Sequence, residues 1–366
     1  MKKIILIIVA LVTIYSCEDQ NYLHEKYLAD GENIYIGKND SVKVFTGKNR
    51  VKITWLLNSD PKAKYCNISW NNGKESIQLE NELVKTEEDT CETIIELQEG
   101  RYIFELFNSD GSGLKSLKTI KSIKVYGEKY VTELQNQKVQ SITIENDTVH
   151  IHWRVMEGSE GVEMTYTNKD GEVVNHSVPK GENETLLGDF VQGGEFTYVT
   201  KFKPEPTSID VFQAPQSVTA KFPYKTIDRS SWTILSVNSV AGGYEANKMF
   251  DNDFNSFYHS SWDPFYDMPY VIDIDMQKVN KLFMIDLWQR SGYSDMADVT
   301  IKTSEDNITW ETFGALLFPN NSQIRHKSVE VEDLVDARYL RIIFENSNRS
   351  NNIGCAEFII NGLEGK

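Results

Sequence analysis

Basic charge is scarce in this chain. Its 38 lysines and arginines face 54 aspartates and glutamates, for a formal net charge of −16. That balance repels phosphate backbones, and no basic stripe offsets it, so nucleic-acid binding and electrostatic docking on anionic lipid are both disfavoured. Cysteine is scarce too: there are four, and no C-x-x-C, which excludes a zinc ribbon and a thioredoxin motif. Helical periodicity is nearly absent. Also missing are H-E-x-x-H, G-x-S-x-G and a phosphate loop, so no known catalytic arrangement is announced.

What is present is a strand pattern. RVKITWLL, TVHIHWRV, YVIDIDM and YLRIIF alternate or are rich in β-branched residues, with turn clusters between them, so the chain reads as all-β. It also repeats itself. NRVKITW (49–55) aligns with DTVHIHW (147–153), CNISWNNG (66–73) with VEMTYTNK (162–169), and EGRYIFEL (99–106) with GGEFTYVT (193–200). Two units of about 100 residues, each with a tryptophan on an early strand, suit small β-sandwiches. KFKPEPTSIDVFQAPQ, with three of the nine prolines, is expected to close the second module, and FPYKTIDRSSW opens a third domain.

The N-terminus, MKKIILIIVALVTIYSC, has two lysines, an apolar run too short to span a bilayer, and a small residue before Cys17. IYSC resembles a bacterial lipobox. The resemblance implies a signal peptide at 1–16, lipidation of Cys17 and a tether over 17–25. Loss of Lys2 and Lys3 with the signal takes the formal charge from −16 to −18. The acidic EDQ after Cys17 is similar to the export signal of surface lipoproteins in glycan-foraging Gram-negative bacteria. An outer-membrane lipoprotein facing the cell exterior is therefore the expectation. An oxidising compartment permits a Cys66–Cys91 disulfide; the alternative is two separate buried thiols.

Three candidate sites invite chemistry. His150 and His152 share one face of a strand, but Val149, Ile151 and Trp153 form its apolar face, so both histidines point outward as solvated residues. Asp273 and Asp275 share a face in VIDIDM. Glycosidase carboxylates instead face each other across a cleft of about 5 to 9.5 Å, so these two read as surface carboxylates. Third comes FDNDFNSFYHSSW (250–262). As an EF-hand it starts well, with Asp251, Asp253 and Asn255 at positions 1, 3 and 5. It then fails, since Ser256 stands where glycine is needed and Trp262 where a bidentate glutamate belongs.

HEKYLADGENIYIGKNDSVKVFTGKNRVKITW, followed by the NNGK turn, resembles a family of uncharacterised bacterial surface-lipoprotein domains over residues 22 to 220. That implies two fibronectin-III-like modules, at 26–125 and 126–222, with no known catalytic residues. The third domain, 223–366, resembles the F5/8 type C or discoidin family, including family 32 carbohydrate-binding modules. The likeness spans residues 225 to 364. It rests on Asp251–Ser260, PYVIDIDM, SEDNITW (304–310), ARYLRIIF (337–344) and CAEFIING (355–362), in order.

This second resemblance implies an eight-stranded jelly roll and a structural calcium. The ion is held by the Met249 carbonyl, Asp251, Asp253 and Ser256, with Glu357 completing the cage. It also implies a sugar site at His259 and Arg290, with Trp262, Phe265 and Tyr266 as stacking faces and Glu245 as an added acceptor. The family often places an asparagine a few residues after the arginine; Ser294 stands there instead. The whole reads as a non-catalytic glycan binder for oligosaccharide or polysaccharide, membrane-held through Cys17, with an outer-membrane glycan importer complex as partner. The competing expectation is an adhesion or protein-binding lipoprotein without a sugar site.

Overall fold

The structure, a computed structural model, describes residues 36–56, 60–84 and 90–365. The signal segment, Cys17 and the tether lie outside the described residues. The chain divides into two compact units, Met1–Gln135 with Lys201–Pro215, and Asn136–Thr200 with Gln216–Lys366. No helix among the described residues is long and apolar enough to cross a membrane.

The first sandwich comprises β1 (Asp40–Thr46), β2 (Arg50–Leu56), β3 (Tyr65–Trp70), β4 (Glu75–Glu80), β5 (Thr90–Glu96), β6 (Gly100–Ser109) and β7 (Thr119–Val125). Its sheets run β1-β2-β5 and β4-β3-β6-β7. Period-two alternation puts Val51, Ile53 and Trp55 of β2 inward, where they meet Ile68 of β3 and Phe104 and Leu106 of β6. The Trp55 indole N–H donates to Asn81 Oδ1 at 3.3 Å. Cys66 and Cys91 are both buried thiols, so the permitted disulfide is not formed. Burial pushes the Cys66 thiol up to about 12, although the Asn39 amide donates to its sulfur.

The second sandwich repeats this plan with β8 (Lys138–Glu145), β9 (Thr148–Arg154), β10 (Ser159–Thr167), β11 (Val173–Pro179), β12 (Glu184–Leu187), β13 (Glu195–Phe202), β14 (Phe212–Gln213) and β15 (Val218–Lys221). One sheet is β8-β9-β12; the other is β11-β10-β13, with β14 and β15 along β13. The buried and part-buried positions of β9 match those of β2 one for one, and Trp153 takes the place of Trp55. The outward faces are as expected for His150 and His152, though not simply solvated. His150 Nδ1 lies 2.8 Å from Glu184 Oε1, and His152 Nε2 lies 3.7 Å from the same oxygen.

Lys201–Pro215 carries β14, which pairs with the end of β13, and it groups with the first unit, where the Asp210 carboxylate accepts from Arg50 Nε at 2.9 Å and the Lys48 N–H at 2.7 Å. A Cβ at Gly47 would lie 2.4 Å from Asp210 Oδ2, so glycine is what admits the aspartate. Tyr130 and Phe212 meet edge to face at 5.1 Å, which adds an apolar anchor to that ion pair.

The last domain is an eight-stranded jelly roll: β16 (Lys225–Thr226), β17 (Thr233–Val237), β18 (Tyr258–His259), β19 (Tyr270–Gln289), β20 (Asp298–Ser304), β21 (Glu311–Leu317), β22 (His326–Phe344) and β23 (Gly354–Leu363). The order is β16-β23-β19-β22-β20-β21, with β17 on β19 and β18 on β23. Two register shifts bend β19 around a core that includes Ile272, Ile274, Leu340 and Phe344. Asp273 and Asp275 are not free surface carboxylates. Arg341 and Arg338 of β22 grip them, each through Nε and Nη2 at 2.7–2.9 Å, and Asp275 is buried.

Candidate functional site

β18 is two residues long, yet it is firmly placed. Tyr258 pairs with Cys355 and His259 with Gly354 of β23. The His259 N–H donates to Tyr244 O at 3.1 Å, and its carbonyl accepts from the Ala241 N–H at 2.9 Å. The side chain is only 4% exposed. Its Nδ1 lies 2.7 Å from the Ser260 carbonyl, which can only accept, so Nδ1 carries the proton and Nε2 is the acceptor of the neutral ring. Burial pulls the imidazole below its ordinary value, and the Arg290 guanidinium adds to this; the Ser260 carbonyl opposes both. At neutral pH the ring therefore offers a fixed lone pair.

Arg290 follows β19 directly. Its Nε donates to Asp295 Oδ2 at 2.6 Å, and its guanidinium lies 3.6 Å over the Tyr293 ring and 5.3 Å over Phe257. Asp295 is fully buried, and its other oxygen accepts from Arg349 Nε at 2.6 Å. Gly354, opposite His259, carries this pair on its back: a Cβ there would be 2.6 Å from Arg290 Cδ and 2.7 Å from Asp295 Oδ2.

An aromatic cluster completes this end of the barrel. Trp262 is 5.1 Å from His259 and 5.7 Å from Tyr244, ring centroid to centroid, and 46% of it is exposed. His259, Trp262 and Arg290 thus come together, with Phe257 a neighbour of both imidazole and guanidinium. Tyr266 and Phe265 are exposed, but among the described residues no ring contact joins them to this cluster. Glu245 turns back to accept the Gly243 N–H at 2.9 Å, and the Ser294 hydroxyl donates to the Pro319 carbonyl. Sequence reasoning missed Tyr244, Phe257, Tyr293, Asp295 and Arg349. Tyr293 and Asp295 follow Arg290 within five residues and could have been read as its partners. Arg349 lies in NSNRSNN and carried no local signal.

The Asp251–Ser256 loop forms a second, adjoining feature. Asn252 takes φ 62, the left-handed conformation that asparagine tolerates. Asp251 Oδ2 accepts from the Ser256 hydroxyl at 2.6 Å. Asp253 is exposed, and its Oδ1 accepts the Asn255 N–H and amide, so this carboxylate oxygen holds its own turn. Glu357 is fully buried on β23. One of its oxygens accepts from Arg229 Nη1 at 2.6 Å, a partner the sequence reading did not include. Arg229 also donates to the Phe358 carbonyl at 2.7 Å, to the Met249 carbonyl at 3.4 Å and to Asn252 Oδ1.

The other Glu357 oxygen is buried with no hydrogen-bond partner. Burial pushes this carboxyl upward, Arg229 pulls it down, and Asp251 adds to the rise. Two carboxylates against one guanidinium leave a negative charge and an unpaired buried oxygen, a costly combination that a hard cation would relieve. Among the described residues no three histidine, cysteine, aspartate or glutamate side chains converge. An ion there would lean on the Met249 carbonyl and Ser256 hydroxyl beside Asp251 and Glu357, and that donor set suits calcium.

Residues 17–212, more than half of the chain, match the family model DUF4998, a domain of unknown function. Residues 233–358 match the F5/8 type C domain. No curated protein sequence matches the chain. Among solved structures, the C-terminal domain of a chitobiase from Bacteroides fragilis is 26% identical over 38% of this chain and 97% of its own, with a TM-score of 0.34. The family 32 carbohydrate-binding module of NanJ from C. perfringens, in complex with galactose, is 20% identical over 37% of this chain and 96% of its own, with a TM-score of 0.34. A family 32 module from Clostridium perfringens in complex with GalNAc-β-1,3-galactose is 14% identical over 38% and 100%, with a TM-score of 0.35.

Proposed function

The chain belongs to the DUF4998 family and carries an F5/8 type C domain, and we propose that it binds glycans through that domain without breaking a bond. One observation carries this reading: a neutral imidazole acceptor, His259 Nε2, stands beside the exposed Trp262 indole and shares Phe257 as a neighbour with the Arg290 guanidinium. A sugar hydroxyl both donates and accepts, so imidazole and guanidinium together meet its two needs. The apolar C–H face of the ring then lies against the indole. Capture without chemistry also agrees with Asp273 and Asp275, whose carboxylates are held by arginines rather than facing each other across a cleft.

The finer parts of the proposal rest on sequence. Cys17 carries lipid and holds the protein on the outer membrane, facing outward. The two sandwich modules stand between anchor and binding domain along the chain, and the captured polysaccharide passes to an outer-membrane glycan importer. Calcium, held by Asp251, Ser256, Glu357 and the Met249 carbonyl, ties the binding loop to β23.

A glycan array probed with the full chain tests the reading, with His259→Ala and Arg290→Ala as controls. Each substitution removes a polar partner and is expected to weaken sugar binding about tenfold or more. Binding that survives both overturns the site. No binding to any glycan overturns the function and favours protein adhesion instead.

A further inference from the structure

The site beside His259 holds two guanidiniums. Arg290 and Arg349 are both fastened by Nε to the same carboxylate, one on each oxygen of Asp295, at 2.6 Å each. Asp295 is fully buried, whereas the Arg349 side chain is 42% exposed. The negative charge is thus enclosed beneath its two positive partners. Two guanidiniums against one carboxylate leave one positive charge.

Arg290, Asp295 and Arg349 all act on the His259 imidazole. In a chain of formal charge −16, a local excess of this sign runs against the average. Tyr293 fixes the arrangement, with Arg290 3.6 Å and Arg349 5.0 Å from its ring centre. Because Nε is the anchoring nitrogen in both residues, their Nη ends have no hydrogen-bond partner among the described residues.

We infer that the sugar bound at His259 is acidic, and that Arg290 and Arg349 together take its carboxylate. The inference rests on the glycan-binding reading and names the ligand class of that same site. The chemistry favours it on three grounds. Guanidinium N–H pairs match the two oxygens of a carboxylate, whereas a hydroxyl uses a single donor. Both arginines are held in place before the ligand arrives, so little side-chain entropy is lost on binding. Finally, Asp295 neutralises only half of the positive charge, and a uronate or sialate supplies the missing negative one.

The test is a panel of uronate, sialate, sulfated and neutral oligosaccharides with the full chain, each acidic member paired with its carboxyl-reduced counterpart. Carboxylated sugars are expected to bind about tenfold or more tighter than their reduced partners, as for other charge-assisted hydrogen bonds. That preference is expected to shrink as salt rises. Arg349→Gln is expected to bring the acid-to-neutral ratio toward one, and Arg349→Lys to restore part of it. Equal affinity for acid and reduced partner overturns the inference and leaves the glycan reading standing. Preference for sulfate over carboxylate overturns the carboxylate assignment. An Arg349→Gln protein that keeps the full acid preference overturns the role of Arg349. Failure to bind any sugar overturns the glycan reading itself.

Discussion

His259 shows how much one residue's role depends on which nitrogen is engaged. The Ser260 carbonyl holds the proton on Nδ1, and burial holds the ring neutral, so Nε2 accepts. The sign of the pH dependence follows. A histidine depressed by burial resists protonation, so the neutral acceptor, and the stability linked to it, are fully present above the ordinary value of about 6.5. Both are lost as pH falls through the lower folded value, because the unfolded chain then binds the extra proton more readily. Sugar affinity measured by calorimetry is expected to be level from pH 8 to about 6.5 and to decline only in more acid solution, as the lowered imidazole protonates. A decline centred above 6.5 would contradict the assignment. Gly354 acts at the same scale through what it lacks. Gly354→Ala is expected to displace the Arg290–Asp295 pair and weaken sugar binding about tenfold, at a stability cost of about 1–3 kcal/mol. Binding titrations and thermal melts of the variant check both.

At the scale of elements, the site is an agreement between strands distant in sequence. β18 supplies the histidine, the end of β19 supplies Arg290, and the loop before β23 supplies Arg349. The Asp251–Ser256 loop is tied to β23 through Arg229 and Glu357. A bound ion that recognises only the folded state contributes about 2.7 kcal/mol at a hundredfold excess over its dissociation constant. Chelation with EGTA is therefore expected to lower the melting temperature by several degrees, calcium to restore it, and Glu357→Gln to abolish the response. A melt unmoved by chelator would leave Arg229 as the whole staple. The loop was legible in sequence because its residues are contiguous. Arg229 was not, since its contacts with Glu357 and Phe358 span more than a hundred residues.

For the whole molecule, duplication is the main organising fact, and it was legible. Matching motifs in matching order predicted matching sandwiches, because alternation and an early tryptophan set which face of each strand is buried. The Arg50–Asp210 pair was not legible. Asp210 lies in the proline-rich run expected to close the second module, yet Arg50 binds it across 160 positions, and nothing local marks that pair. The anchor belongs to this scale as well. Cys17→Ser is expected to move the protein from the membrane fraction to the soluble fraction after cell lysis, with sugar affinity unchanged; retention in the membrane would argue against lipidation.

The sequence alone determined the all-β class, the repeated sandwich and the jelly roll, and it nominated the histidine and arginine of the candidate site. Those properties live in local alternation and in contiguous motifs, which need no knowledge of what lies across the barrel. Only the tertiary structure decided that Asp273 and Asp275 are gripped by arginines, that Glu357 is shared with Arg229, and that one buried aspartate holds two guanidiniums beside His259. Charge pairing depends on distance in space, and a chain folded into closed sheets brings together residues whose separation in sequence carries no trace of it.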